Sequence, residues 1–246
     1  LDVGGDKLPE PLSGYGSNEP ANPALGLRAI RLSLRERRLL DTQLAAMLRA
    51  ANLGPVRILL PMVTTVSEIR RTREALDQVT RRLRRRGLRL PAAMPPVGVM
   101  VEVPGAALAA DALAAEADFF ALGTNDLVQY TLAADRSDEQ VAYLYNPLHP
   151  GVLRLIQFAV EAADRRDIPI SICGEMAGEP RYAALLLGLG LRQLSMAPRN
   201  IPVVKQRIRS LDMVAATRRA NAIMDQSDPS RIAALLDDFN AAAEIC

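Results

Sequence analysis

Val97–Pro104 reads VGVMVEVP and Phe119–Asp126 reads FFALGTND, and in each an apolar run leads into a segment that carries a carboxylate close to a proline or a glycine. The same form recurs at Ile170–Pro180, ISICGEMAGEP, and the chain opens on it at Leu1–Lys7, LDVGGDK. Apolar runs without alternation mark strands covered on both faces, as in a parallel sheet. Several such strands, each ending in a polar loop, bring those loops to one end of a parallel barrel, where an active site is assembled. The repetition therefore points to an enzyme before any single motif does.

Working outward, six strand candidates alternate with helical stretches: Leu1–Val3, Val56–Pro61, Val97–Glu102, Phe119–Leu122, Ile170–Cys173 and Gln193–Met196. Between them Ile30–Ala50, Val66–Arg86, Ala106–Glu116 and Val152–Arg166 carry apolar residues at helical spacing. Thr65-Val66-Ser67-Glu68 reads as a capping box. From Ile201 onward the chain reads as helix, in a piece to Leu211, another through Met224 and a last one opening near Asp228-Pro229. A doubly wound open sheet would advertise one glycine-rich loop after its first strand, whereas here polar loops follow strands along the whole length. The expected fold is a (β/α)8 barrel in a single domain over residues 1–246. Six strands leave two unaccounted for, and the chain starts on a strand without methionine, so the barrel is expected to lack its first strands.

Composition narrows the function classes. With 49% hydrophobic residues over 246 positions the chain has the means to fill a sizeable core. The formal charge is only +2, and the densest basic run, Arg81–Arg89, lacks the aromatic residues that stack bases. A solvated helix face is the better reading, and no nucleic-acid partner is expected. Two cysteines, Cys173 and Cys246, are too few for a disulfide scaffold and fit a reducing cytoplasm. No apolar run reaches the roughly 20 residues of a membrane span.

The carboxylates at strand ends carry the chemistry. Glu102 and Asp126, at equivalent points of neighbouring strands, could together hold one hard divalent cation, with magnesium the expected ion; either alone could be a capping acid or an ion-pair partner. Arg28 and Arg136 stand apart from the helical charge runs, each beside small or turn residues, and could grip a phosphate or carboxylate with a guanidinium fork. Arg28 could equally lie solvated on a first helical turn. Cys173, at a strand end beside Gly174, is either a small buried hydrophobe or a working thiol. Proton transfer suits it as well as covalent catalysis, since the single histidine, His149, sits between prolines in a rigid turn. Glu175 could hold water or a neighbouring arginine, or simply cap the next helix.

The strings NPALGLRAIR (Asn22–Arg31), ILLPMV (Ile58–Val63), GVMVEVP (Gly98–Pro104), DFFALGTNDLVQYTLAADR (Asp118–Arg136), YNPLHP (Tyr145–Pro150) and CGEMAGEP (Cys173–Pro180) occur in one order that resembles the C-terminal barrel of enzyme I of the bacterial phosphoenolpyruvate-dependent sugar phosphotransferase system. The resemblance implies a dimeric barrel that binds phosphoenolpyruvate and Mg2+. It also implies that the phosphoryl group goes to a histidine on a separate N-terminal region and then to a histidine-bearing carrier protein. Carried over residue by residue, Glu102 and Asp126 resemble the metal ligands, and Asn125 with Asp126 lines the substrate site. Arg28 and Arg136 resemble substrate-facing arginines, and Cys173 matches the cysteine that returns a proton to the enolate. Two further substrate arginines of the family and its phosphohistidine have no counterpart in this chain, so the chain alone is expected to be inactive. Pyruvate phosphate dikinase and phosphoenolpyruvate synthase share the barrel and the metal pair, but CGEMAGEP and GTNDLVQYTLAADR resemble the enzyme I versions more closely. A non-catalytic dimerisation module is the remaining alternative.

Overall fold

The computed structural model describes Asp2 and residues 22–242. The opening strand Leu1–Val3, the LDVGGDK loop beyond Asp2 and Cys246 lie outside the described residues. Two compact units divide the chain: one takes the sequence up to Met100 together with Ala115–Phe119, the other takes Val101–Ala114 and everything from Phe120.

In the first unit, α1 (Ala29–Arg35) and α2 (Arg37–Ala50) replace the single helix expected over Ile30–Ala50, because Glu36 leaves helical geometry at φ −94°, ψ 71°. Leu40, Leu44 and Leu48 form the buried stripe of α2, one turn apart, and face α3 (Val66–Arg85). The expected capping box starts α3: the Glu68 carboxylate accepts from the Thr65 and Thr64 backbone amides at 2.9 and 2.7 Å. The arginines Arg82, Arg84 and Arg85 close α3, where cations suit the negative helix end, and most of the run that follows is solvated. Strand β1 (Ile58–Leu60) pairs in parallel with β2 (Val97–Val101), Ile58 opposite Val97 and Leu60 opposite Val99. Gly98 is required there, since a Cβ would enter the Phe119 ring.

The second unit repeats the plan. It holds α4 (Pro104–Leu108), α5 (Ala110–Ala114), β3 (Phe120–Gly123), α6 (Thr124–Leu132), α7 (Pro150–Arg165), β4 (Ile170–Cys173), α8 (Glu175–Gly178), α9 (Pro180–Gly188), α10 (Ile201–Arg209), α11 (Met213–Met224) and α12 (Pro229–Ala242). Strands β3 and β4 are parallel and in register from Phe120 opposite Ile170 to Gly123 opposite Cys173. Both α4 and α5 pack on α7, while α9 packs on α10, α11 and α12. At the α9–α11 crossing, a Cβ on Gly188 would stand 2.5 Å from the Ala216 carbonyl oxygen. Gln193–Met196, expected as a strand, is reduced to one bridge between Leu194 and Ile172, because Arg192, Gln193 and Ser195 around Leu194 are exposed and bury too little to extend it. Parallel strands each followed by helix are thus the observed architecture. Four strands fall among the described residues, and none of their helices is long and apolar enough to cross a membrane.

Candidate active site

In a parallel sheet covered by helices, the strand ends are the places where polar side chains can converge. Glu102 follows the last residue of β2 and is 6% exposed; Asp126 is 8% exposed. Asp126, expected at the carboxyl end of a strand, belongs to the first turn of α6, since the chain passes from β3 into helix at Thr124 without a connecting segment. A carboxylate suits that helix end. The two acids share one neighbourhood, because both push the Cys173 thiol upward from its usual ionisation range, after burial, which is the larger cause. The thiol is therefore held protonated at neutral pH, and it donates to the Leu122 carbonyl oxygen at 3.3 Å.

Around this thiol the ends of β3 and β4 are tied together. The Thr124 hydroxyl donates to the Cys173 carbonyl oxygen at 2.8 Å, and the Glu175 amide donates to Asn125 Oδ1 at 3.1 Å. Since an amide N–H must meet an oxygen, this bond fixes which way the Asn125 amide faces and leaves its NH2 group pointing elsewhere. Gly174, at φ +100°, lies between them: a Cβ there would stand 2.6 Å from Thr124 Oγ1 and 2.8 Å from Asn125 Oδ1.

A cleft of about 350 Å³ adjoins, lined in part by Thr124, Asn125, Tyr145, Glu175, Glu179 and Tyr182. The Tyr145 hydroxyl donates to the Asn125 carbonyl oxygen at 3.4 Å, and burial first of all pushes its phenol up to about 12, with Glu175 and Asp126 adding and Arg136 opposing. Arg136 is 38% exposed, with Nη1 3.9 Å from Glu175 Oε1. Glu175 thus faces an arginine but does not cap α8, whose N-cap is Gly174.

Arg28 belongs to the other unit. It is 1% exposed at the N-cap of α1, and Nη2 contacts both Asp2 carboxylate oxygens at 3.1 Å. The reading of Arg28 as a solvated helical residue is excluded. His149 is the N-cap of α7, where Nδ1 accepts from the Gly151 amide at 3.1 Å, so it is structural. Thr124, Tyr145 and Tyr182 escaped the sequence reading, although Thr124 and Tyr145 lie inside two of the strings quoted above. Polarity at a strand terminus was the one available signal for Thr124; nothing local distinguishes Tyr182.

The donor set decides which ion would suit the acids. Among the described residues no group of three or more His, Cys, Asp and Glu gathers as a complete cage. Two buried carboxylates supply oxygen ligands only, which suits a hard cation such as Mg2+ that keeps waters or substrate oxygens in its shell. An all-protein zinc site would need more and softer ligands.

Residues 1–213 match the sequence family described as PEP-utilising enzyme, PEP-binding domain, PEP being phosphoenolpyruvate. A phosphoenolpyruvate-protein phosphotransferase of Cupriavidus necator is 44% identical over 238 residues, covering 96% of this chain and 40% of that protein. The proteins of the same name from Listeria monocytogenes and Haemophilus influenzae are 40% and 41% identical, over 98% and 97% of this chain and 41% of each of theirs. The chain spans about two fifths of the length of these relatives. Among solved structures, a citrate lyase from Burkholderia xenovorans is similar at a TM-score of 0.53 and 18% identity, over 82% of this chain and 68% of that one, a likeness of fold alone. Strand ends bearing buried acids and a family match over most of the sequence agree: the chain belongs to the PEP-binding domain family of PEP-utilising enzymes.

Proposed function

We propose that this chain is the phosphoenolpyruvate-binding part of a phosphoenolpyruvate-protein phosphotransferase of the sugar phosphotransferase system. In that reading the phosphoryl group passes to a histidine of the whole protein and then to a histidine-bearing carrier protein, and the enzyme works as a cytoplasmic homodimer. The observation that carries the proposal is the match of residues 1–213 to the PEP-binding domain family, supported by the Cys173 thiol at the end of β4, bonded to the Leu122 carbonyl oxygen, and by the buried carboxylates Glu102 and Asp126.

Arg136 binds the phosphate or carboxylate of the substrate through guanidinium hydrogen bonds, and the NH2 group of Asn125 donates to a substrate oxygen. Glu102 and Asp126 would hold Mg2+, which when bound supplies charge neutralisation at the substrate oxygens. Loss of the phosphoryl group leaves the enolate of pyruvate. Its methylene carbon takes the proton of Cys173: the S–H bond breaks, a C–H bond forms, and the thiolate regains a proton from water. A proton donor must be protonated when the step begins, and the raised ionisation range of Cys173 meets that requirement.

Replacing Cys173 by Ala in the whole protein tests the assignment. Phosphoenolpyruvate binding is expected to stay within about 3-fold, while pyruvate formation slows by roughly 10²-fold or more. Unchanged pyruvate formation would remove Cys173 from the mechanism.

A further inference from the structure

The register of β3 and β4 ends at Gly123 opposite Cys173, the point at which β3 turns into α6. Beyond that pair the strands have no further ladder to hold them at a fixed spacing. A side chain takes over: the Thr124 hydroxyl, 1% exposed, donates to the Cys173 carbonyl oxygen at 2.8 Å. One residue beyond Thr124 and two beyond Cys173, the Glu175 amide donates to Asn125 Oδ1 at 3.1 Å. Gly174 sits between these two bonds with no room for a Cβ against either Thr124 Oγ1 or Asn125 Oδ1. Its φ of +100° is one that residues with a Cβ rarely adopt. The three features form one clasp, with Cys173 on one side and Asn125 on the other.

Resting on the reading of Cys173 as proton donor and Asn125 as substrate ligand, we propose that Thr124 is a positioning residue. Its hydroxyl, closing over Gly174, fixes the distance between the thiol that protonates and the amide that orients. It touches neither the reacting carbon nor the phosphate; it acts through the Cys173 carbonyl. A hydroxyl is needed and the methyl group is not. Valine, which matches threonine in shape, would leave that carbonyl without its side-chain donor, and serine would keep the donor.

The test uses the chain as it stands and the whole protein. In the chain, Cys173 is alkylated with iodoacetamide at fixed pH and followed by peptide mass, so that Cys246 is counted separately. Thr124→Val is expected to raise the Cys173 rate at least about 5-fold, because the strand end that holds the half-buried thiol against Leu122 is released, and Thr124→Ser to stay within about 2-fold of wild type. A Thr124→Val rate equal to wild type, or a Thr124→Ser rate as fast as Thr124→Val, overturns the proposal. Should Thr124→Val fail to fold, hydrogen exchange of the wild-type Glu175 amide decides: protection supports the clasp, and exchange at the rate of an open loop overturns it. In the whole protein, Thr124→Val is expected to lower kcat for pyruvate formation about 10-fold with KM within about 3-fold, and Thr124→Ser to restore it. If the alkylation rates move as expected while the wild-type protein makes no pyruvate from phosphoenolpyruvate, the clasp stands and the reading of the chemistry falls.

Discussion

Cys173 and Tyr145 show how neighbouring groups take opposite parts at one site. Both are kept neutral by burial and by nearby carboxylates, yet the thiol lies at a strand end while the phenol lines the cleft and donates to Asn125. Tyr145 gives a pH prediction with a definite sign. Its phenol ionises at about 12 in the fold against 10.0 in a free chain, so between these values the unfolded state binds fewer protons than the native one. The contribution is complete below pH 10 and disappears as pH rises through about 12. Tyr145 should therefore give a late phenolate absorbance transition. Tyr145→Phe should abolish that transition and flatten the fall in stability across the same window; a late transition that persists would assign it to another tyrosine. The acids make a second prediction. Glu102→Gln combined with Asp126→Asn should weaken Mn2+ binding at least about 100-fold, as read by water proton relaxation. The same pair of changes removes the charges that oppose thiol ionisation, so Cys173 should ionise closer to the ordinary thiol range. Mn2+ binding at wild-type strength in the double variant would refute the shared metal site.

Among the elements, glycine spacing decides how closely helices approach. Gly188 on α9 meets Ala216 and Ala220 of α11, and a Cβ there would stand 2.6 Å from the Ala220 Cβ. Gly188→Ala should therefore force α9 and α11 apart and cost about 1–3 kcal/mol, measured as a lower urea midpoint. Gly54 supplies the control, since a Cβ there meets nothing within 4 Å. Gly54→Ala should change stability by no more than about 0.5 kcal/mol. Equal effects at the two positions would show that the α9–α11 crossing yields without cost. The starts of helices were legible for the same local reasons: Thr65 with Glu68 opens α3, and Pro150 behind His149 opens α7. Helix breaks were less legible. Neither Glu36 nor Ala109 carries a glycine or proline signal, yet the chain leaves helical geometry at both.

At the scale of the whole molecule, the proposal separates two ways of using phosphoenolpyruvate. The whole protein should pass phosphate from labelled phosphoenolpyruvate to a small histidine-bearing carrier without adenosine nucleotide, whereas a dikinase would require one. Carrier labelling that depends on nucleotide would favour the dikinase reading. The sequence by itself determined the four parallel strands among the described residues, most helices and which polar side chains stand at strand ends, because apolar runs, capping residues and acids at strand ends are local patterns. It left open whether Glu102 and Asp126 act together, whether Cys173 is a buried filler or a protonated donor, and whether Arg28 is solvated. Those questions depend on burial and on charges brought close from distant parts of the chain. Glu102, Asp126 and Cys173 come from three separate elements, and only tertiary packing sets their desolvation and mutual fields. Thr124 is the extreme case: an ordinary threonine in sequence, it acquires a role only where the end of β3 meets the end of β4.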